Sequence, residues 1–551
     1  MKENEKETSA SARESLFLRS SLHIKATLGI ECSKNGNEEA NMEATYQKEQ
    51  GGGVLTCECH GEHHLPDYAG DMKKILSSSA RILPAGKFIG GEEVQFGGTV
   101  CYDVWYLDAE NRLTHEAFST DYEFSCPRSG GEVDGSADVK VLHYTLRPSG
   151  PRRISAKATL EAAVCLRGTA KYVCECADGE DTLHTMEKTL SVGHRIFSEP
   201  KERECGEEIS LPVAYARGAE IVFSEGHVHI ESAVVDDGEV LVRGTYAVAV
   251  ILSADGMAPL RLCESYPLEE HLPLDGCRAD METTASGFFT SLTCSVREGE
   301  GEDVALTFHG IMELAAAAEK NLPLSVVEDA FAEGGGGECE NEVLSYDTFG
   351  FAESLSRTLE LRVPLFEDTG TPDGVFHTAV SLKNEAYTTD GREIMYTAEA
   401  EICALCYAAD ASGAVHYVSQ KETVPICLSL PLREMPTADA KILLEARLGM
   451  CEGRLDENEI VVAMHLCFCI RSVAEQKALC VKRITAGAKE SGTFVPTYSV
   501  YYPTSKDSLW TIAKRYGVSP AAIAAGNHLS AEASTGAQAL PDMLLIDRRR
   551  A

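Results

Sequence analysis

Three stretches of this chain repeat one order of turns and β runs, and that repeat limits the fold more than any other feature. The first reads Gly90-Gly91-Glu-Glu-Val-Gln-Phe-Gly97-Gly98-Thr-Val-Cys-Tyr-Asp-Val-Trp105. The second reads Asp237-Gly238-Glu-Val-Leu-Val-Arg-Gly244-Thr245-Tyr-Ala-Val, and the third Asp390-Gly391-Arg-Glu-Ile-Met-Tyr-Thr397-Ala398. Gly91, Gly238 and Gly391 stand 147 and 153 positions apart. Apolar and polar residues alternate after each turn, the period of a half-buried strand. Asp-Gly between β runs predicts a type I′ hairpin, whose two loop residues both need positive φ.

The pattern continues beyond each anchor. A second polar turn follows at Asp108–Asn111, at Ala254-Asp255-Gly256 and at Asp410–Gly413. Each unit then closes with strands, at Ile154–Leu166, Val304–Leu314 and Glu459–Ile470. The division expected is a disordered N-terminus at 1–14, β-rich units at 15–186, 187–333 and 338–480, a linker at 484–496 and a tail module at 497–547. Gly334–Gly337 reads as a flexible joint. The first eighty residues match the repeat least well and form either a truncated opening unit or the first unit's own remaining strands.

At 551 residues, with 44% hydrophobic and 25% charged, the composition is that of several globular domains. The formal charge of −36 disfavours nucleic acid and anionic membranes as partners. From Lys482 onward there are nine Lys/Arg and five Asp/Glu, a tail of +4 on a body of −40. That contrast points the tail at an acidic partner or reflects ordinary scatter. Met1-Lys-Glu-Asn-Glu-Lys lacks the apolar centre of a signal peptide. The longest helix-prone apolar stretch, Ile311–Ala318, is too short to span a membrane. The expectation is a cytosolic chain whose twenty cysteines are reduced and mostly buried.

Catalytic signatures are missing: the sequence holds no nucleophile elbow, Walker loop, HExxH or dinucleotide fingerprint. The expectation is a protein that is not an enzyme and holds no cofactor. Cys57-Glu-Cys59-His60-Gly-Glu-His63-His64 is the most metal-like cluster, with Cys57, Cys59, His60 and His63 as its candidate ligands. Cys-x-Cys in a strand sets both thiols on one face and too close for a standard clip, so the reading is a strand end followed by a polar loop. Cys174-Glu-Cys176 and Cys467-Phe-Cys469 repeat the spacing without local histidines and read as apolar strand residues. Cys403-Ala-Leu-Cys406 has redox spacing but lies in a β run.

The tail reads strand, helix, helix, strand. Tyr498, Val500 and Tyr502 alternate with Ser499 and Tyr501, and Pro503 ends the pairing. Asp507 or Ser508 caps a helix carrying Leu509, Ile512, Ala513 and Tyr516 at helical spacing. Gly517 sits at its C-cap. Ser519-Pro520 starts a second helix through Ile523, Gly526-Asn527 ends it, and Met543-Leu544-Leu545-Ile546 forms a closing strand.

The tail residues Asp507-Ser508-Leu509-Trp510 through Gly517-Val518 and Asn527 resemble a LysM domain, a βααβ recognition module. The resemblance implies a binding groove between two loops, at Lys506, Asp507, Ser508 and Leu509 and at Gly526, Asn527, His528 and Leu529. Family modules bind N-acetylglucosamine polymers there. Lys506 replaces the usual glycine, which crowds a flat sugar floor and restricts φ > 0, so the groove suits a protein ligand better. Trp510 reads as a residue of the small core. The body's turn glycines, Gly244-Thr245 and the run His64-Leu-Pro66-Asp67 through Ile75-Leu76 resemble the SPOCS repeat. The order of repeats and tail is similar to the SPOCS–LysM spore-coat morphogenesis proteins of spore-forming Firmicutes. This implies a mainly β chain, three SPOCS-like units followed by a LysM domain. It implies a non-enzymatic scaffold of the spore coat, in the mother-cell cytoplasm at the forespore surface, with the LysM domain docked on the coat's basement-layer ATPase. Peptidoglycan binding is the alternative.

Overall fold

The computed structural model describes residues 42–548, apart from 84–85, 129–132, 177–182, 213–214, 216–218, 237, 255–256, 299–303, 335–337, 366–370, 412, 486–496 and 530–539. The expected N-terminus at 1–14, the turn residues 237 and 255–256, most of the 334–337 joint and most of the linker lie outside the described residues.

The described residues are mainly β, as expected, with two helices near the C-terminus. The first unit contains β1 (Met42–His64), β2 (Met72–Ile82), β3 (Gly86–Ile89), β4 (Glu93–Asp108), β5 (Leu113–Pro127), β6 (Val133–Gly150) and β7 (Arg153–Cys176). β1 and β6 flank β7 in one sheet, while β2, β3 and β5 pair with β4 in the other. The inward residues of both sheets share one core, including Phe96, Tyr102, Tyr122, Leu160 and Leu166, as in a sandwich. β1 pairs with β7 from Met42 to His64, so these residues are the first unit's own edge strand.

The second unit repeats the arrangement with β8 (Leu183–Phe197), β9 (Lys201–Ser210), β10 (Glu220–Asp236), β11 (Glu239–Ser253), β12 (Leu260–Pro273), β13 (Glu282–Glu298) and β14 (Val304–Ala332). Here β8 and β9 follow one another along one edge of β14, opposite β13, and β10-β11-β12 form the facing sheet. The third uses β15 (Glu338–Pro364), β16 (Gly374–Asp390), β17 (Glu393–Ala409), β18 (Val415–Pro431), β19 (Lys441–Asp456) and β20 (Glu459–Thr485). Its sheets are β15-β20-β19 and β16-β17-β18.

Alternation fixes each core. On β11, Val240, Val242, Tyr246, Val248, Val250 and Leu252 are buried on one face. Gly244 interrupts that row because a Cβ there would lie 2.0 Å from the His229 carbonyl oxygen on the neighbouring strand. The third-unit hairpin differs from the type I′ expectation. Its ladder closes with Asp390 opposite Glu393, so the loop is Gly391-Arg392. Positive φ occurs at Gly391 (61°) and at neither Asp390 nor Arg392, the pattern of a turn that needs glycine at its first loop position alone.

The three sandwiches meet at two apolar clusters. At one, Trp105 of the first unit packs on Phe223 of the second and Phe376 of the third, ring centroids 5.4 and 5.8 Å apart. At the other, the far ends of β7, β14 and β20 converge. There the Tyr172 hydroxyl donates to the Val481 carbonyl at 2.7 Å and accepts from the Val327 N–H at 3.1 Å, linking all three strands. Arg167, Glu319 and Arg471 occupy these strands at positions 152 residues apart. Arg471 donates to Glu319 from Nε at 3.0 Å and from Nη2 at 2.8 Å. Arg167 and Arg195 approach the same carboxylate at 3.8 and 3.7 Å.

Candidate functional site

The tail module consists of β21 (Tyr498–Tyr501), α1 (Leu509–Tyr516), α2 (Pro520–Gly526) and β22 (Leu544–Asp547), with β21 and β22 antiparallel. Ser508 caps α1 in a capping box: its Oγ accepts from the Thr511 N–H at 3.1 Å, and Thr511 Oγ1 accepts from the Ser508 N–H at 2.9 Å. Gly517 ends the helix in the left-handed region, φ 61°. Ser519 caps α2 with Pro520 in its first turn. Leu509, Ile512, Ala513, Val518, Ile523, Leu544 and Ile546 form the core.

That core is completed from outside the module. Phe331, near the end of β14, is buried in the same cluster and meets the Trp510 ring edge to face at 5.0 Å. Trp510 Nε1–H donates to Asp329 Oδ2 at 2.8 Å, and the Lys514 ammonium binds the other oxygen of the same carboxylate. Burial raises the Asp329 carboxyl, but the bonds from Lys514 and Trp510 outweigh it and hold the group below the usual carboxylate range. The Gly334 N–H donates to the Gly517 carbonyl at 3.0 Å. The expected joint is thus tied down at its first residue. Trp510 is partly buried, as expected, and its role is to hold the module on the second sandwich. The body supplies an acidic partner for Lys514, whereas Lys482 and Arg483, counted with the tail by charge, lie in β20 and pair with Glu340 and Glu175 within the body.

The eight loop residues divide into builders and exposed positions. Asp507 Oδ2 accepts from the Tyr501 hydroxyl at 3.0 Å, the Thr504 N–H at 2.7 Å and the Thr504 hydroxyl at 2.8 Å, which shapes the first loop. The Thr504 donors, backbone first, and then Tyr501 hold its carboxyl below the ordinary range. Ser508 is the cap and Leu509 is core. Asn527 fastens the second loop to β22: its amide donates to the Leu545 carbonyl, and its Oδ1 accepts from the Leu545 N–H, both at 2.7 Å. Leu529 packs partly against the core. Lys506, Gly526 and His528 are exposed. Lys506 is not among the residues with positive φ. The backbone restriction expected there does not arise; in the second loop it is His528 that takes the left-handed region, at φ 57°.

One surface escaped the sequence reading. β21 turns Ser499 and Tyr501 inward and leaves Val500 and Tyr502 outward, 52% and 68% exposed. Val500 pairs with Leu545 across the ladder, and Leu545 and Met543 are also exposed. The signal was present, since both faces of Tyr498–Tyr502 carry large residues and only one can enter a core fifty residues wide in sequence.

The candidate metal cluster does not assemble. β1 runs unbroken to His64, without the expected polar loop. Cys59 points into the first core, its Sγ 3.7 Å from the Ala158 carbonyl oxygen. His63 binds Glu116 at 2.8 Å and stacks on Phe118. His60 lies on the other face, exposed. The nineteen described cysteines are free thiols, and Cys427 is the one exposed among them. Burial raises both Cys403 and Cys406, the latter to about 11, which opposes thiolate chemistry. Among the described residues no helix is long and apolar enough to cross a membrane. No curated protein and no solved structure matches the chain. Residues 504–533 match the LysM domain family, and the strand–helix–helix–strand module built around α1 and α2 is accordingly a recognition domain for glycan or protein.

Proposed function

We propose that this chain is a non-enzymatic scaffold of spore-coat assembly. Its LysM domain docks on a coat morphogenetic protein, the basement-layer ATPase, at the forespore surface in the mother cell. The observation that carries the reading is the outward apolar face of Val500, Tyr502, Met543 and Leu545 on a module fixed to the body. A contiguous exposed apolar surface is what a protein partner covers. The resemblance of the body to SPOCS repeats supplies the setting, and several modules on one chain give avidity through effective concentration.

Peptidoglycan binding is the second reading. It is favoured by the family match and by Tyr502, which offers a ring face beside the first loop.

Because Phe331 completes the module's core, the test uses the full chain. Binding to the purified ATPase, lost on Val500→Glu, is the expected result. Sedimentation with insoluble peptidoglycan and no binding to the ATPase would overturn the scaffold reading. A fluorescent fusion that stays diffuse through sporulation would do the same.

A further inference from the structure

The second and third sandwiches meet along the outer faces of β10 and β20. On β20, Met464, Leu466 and Phe468 enter the third core, so alternation sends His465 and Cys467 to the opposite face. On β10, Val228 and Ile230 pack on the second core, and His229 points away from it. His229 and Cys467, 238 residues apart in sequence, meet with Nδ1 and Sγ separated by 3.3 Å. The His229 and His465 rings stand edge to face, centroids 4.4 Å apart. The sulfur and one nitrogen of each ring all lie within 4.8 Å of one another. Among the described residues this is the one group of three thiol, imidazole or carboxylate side chains so gathered.

His465 Nε2 is buried without a hydrogen-bond partner. A neutral imidazole keeps one ring-nitrogen lone pair for a ligand bond. Arg447 stands opposite Cys467 on the neighbouring strand.

We propose that His229, His465 and Cys467 bind one zinc-class divalent cation, with water as the fourth ligand, and so pin the second sandwich to the third. Zn–N bonds of about 2.0–2.1 Å and a Zn–S bond of about 2.3 Å at tetrahedral angles put ligand atoms about 3.4–3.6 Å apart. The Cys467 Sγ to His229 Nδ1 separation of 3.3 Å is near that spacing, and the His465 nitrogen lies within 4.8 Å of both. One thiolate and two imidazoles suit zinc and not the hard cations calcium or magnesium. On binding, the thiol proton leaves to solvent, the sulfur lone pair forms the metal bond, and no electron is transferred. The seam is already joined to one side of the cluster. Arg261 Nη2 reaches the Cys451 carbonyl at 3.2 Å, and the Cys263 thiol lies 3.4 Å from Met450 Sδ. The competing arrangement is a thiol–imidazole hydrogen bond that holds no ion.

The test uses the full chain, stripped with chelator and titrated with Zn²⁺ or Co²⁺. The expected result is about one equivalent bound and a thiolate-to-cobalt charge-transfer band that Cys467→Ser abolishes. His229→Gln and His465→Gln each weaken binding by about tenfold or more. A second measurement needs no variant: Zn²⁺ slows alkylation of Cys467, read by mass spectrometry, while exposed Cys427 reacts at an unchanged rate. Failure to bind either metal stoichiometrically, a band that survives in folded Cys467→Ser, or unprotected Cys467 would overturn the proposal.

Discussion

Trp510 donates its indole N–H to Asp329 at 2.8 Å, and through that bond the recognition module is held on the end of β14. Lys514 binds the same carboxylate and Phe331 fills the module's core beside the indole. Asp329→Ala removes the acceptor for both donors. A hydrogen bond to a charged group contributes about 1.5–3 kcal/mol, so the variant should release the module without unfolding the sandwiches. Hydrogen exchange is expected to rise in 498–547 and stay unchanged in β4, β11 and β17. Unchanged protection of α1 would refute the docking role.

The same carboxylate sets an acid limit. Its folded pKa lies below the unfolded value of about 3.9, so its contribution is fully present above that value. It is lost as pH falls through the depressed folded value. The module should stay docked from pH 8 to about 5 and loosen only below about 4. Loosening near pH 6 would point to a histidine instead.

A histidine does act elsewhere. His377 is 6% exposed, its Nδ1 has no partner, and its ring lies 5.0 Å from Trp105 where the three sandwiches meet. Burial, opposed by Glu225, pushes its pKa down to about 4. Between about 4 and the unfolded value of about 6.5 the unfolded chain binds the extra proton, so stability falls as pH falls through that window. The loss approaches about 3 kcal/mol at the lower end. Urea unfolding of the wild type at pH 7 and pH 4.5 should show it, and His377→Phe should flatten the dependence. A variant with the wild-type pH profile would remove His377 as the cause.

The repeat and the tail were legible because their signals are local. Alternation along β11 and β17, glycine at Gly391 and Gly517, and the Ser508 and Ser519 caps each act within a few residues. Ile311–Ala318 shows where local reading stops. Its alanines favour helix, yet the segment is strand in β14, because β13, β8 and β9 satisfy its backbone on both sides. The docking of Trp510 on Asp329 and the meeting of His229 with Cys467 link positions 181 and 238 residues apart. No single-sequence pattern marks such pairs. His465-Leu-Cys467 did put two ligand types on one strand face, but its third member lies in another unit.

Glu319 lies within ion-pair distance of Arg167, Arg195 and Arg471, and it is 4% exposed. Removing one partner of a buried pair costs about 3–5 kcal/mol, because the other charge stays buried without compensation. Glu319→Ala should therefore cost that much in urea unfolding. The double variant Glu319→Ala with Arg471→Ala should cost less than the two single changes combined. Strict additivity would mean the pair is not coupled.

The recognition module offers a separation of fold from binding. Asn527→Ala removes the clamp on the Leu545 backbone, and a hydrogen bond of this kind contributes about 0.5–1.5 kcal/mol. It should lower the module's melting point and weaken every ligand alike. Lys506→Glu and Val500→Glu change exposed positions, where substitutions stay within about 0.5 kcal/mol of wild-type stability. If a protein covers the outer face of β21 and β22, Val500→Glu abolishes its binding and spares peptidoglycan sedimentation. If a glycan fills the loop groove, Lys506→Glu alters sedimentation and Val500→Glu leaves it alone. Melting curves beside the two binding measurements distinguish the outcomes, and a Val500→Glu chain that binds the ATPase normally would exclude that face as the docking surface.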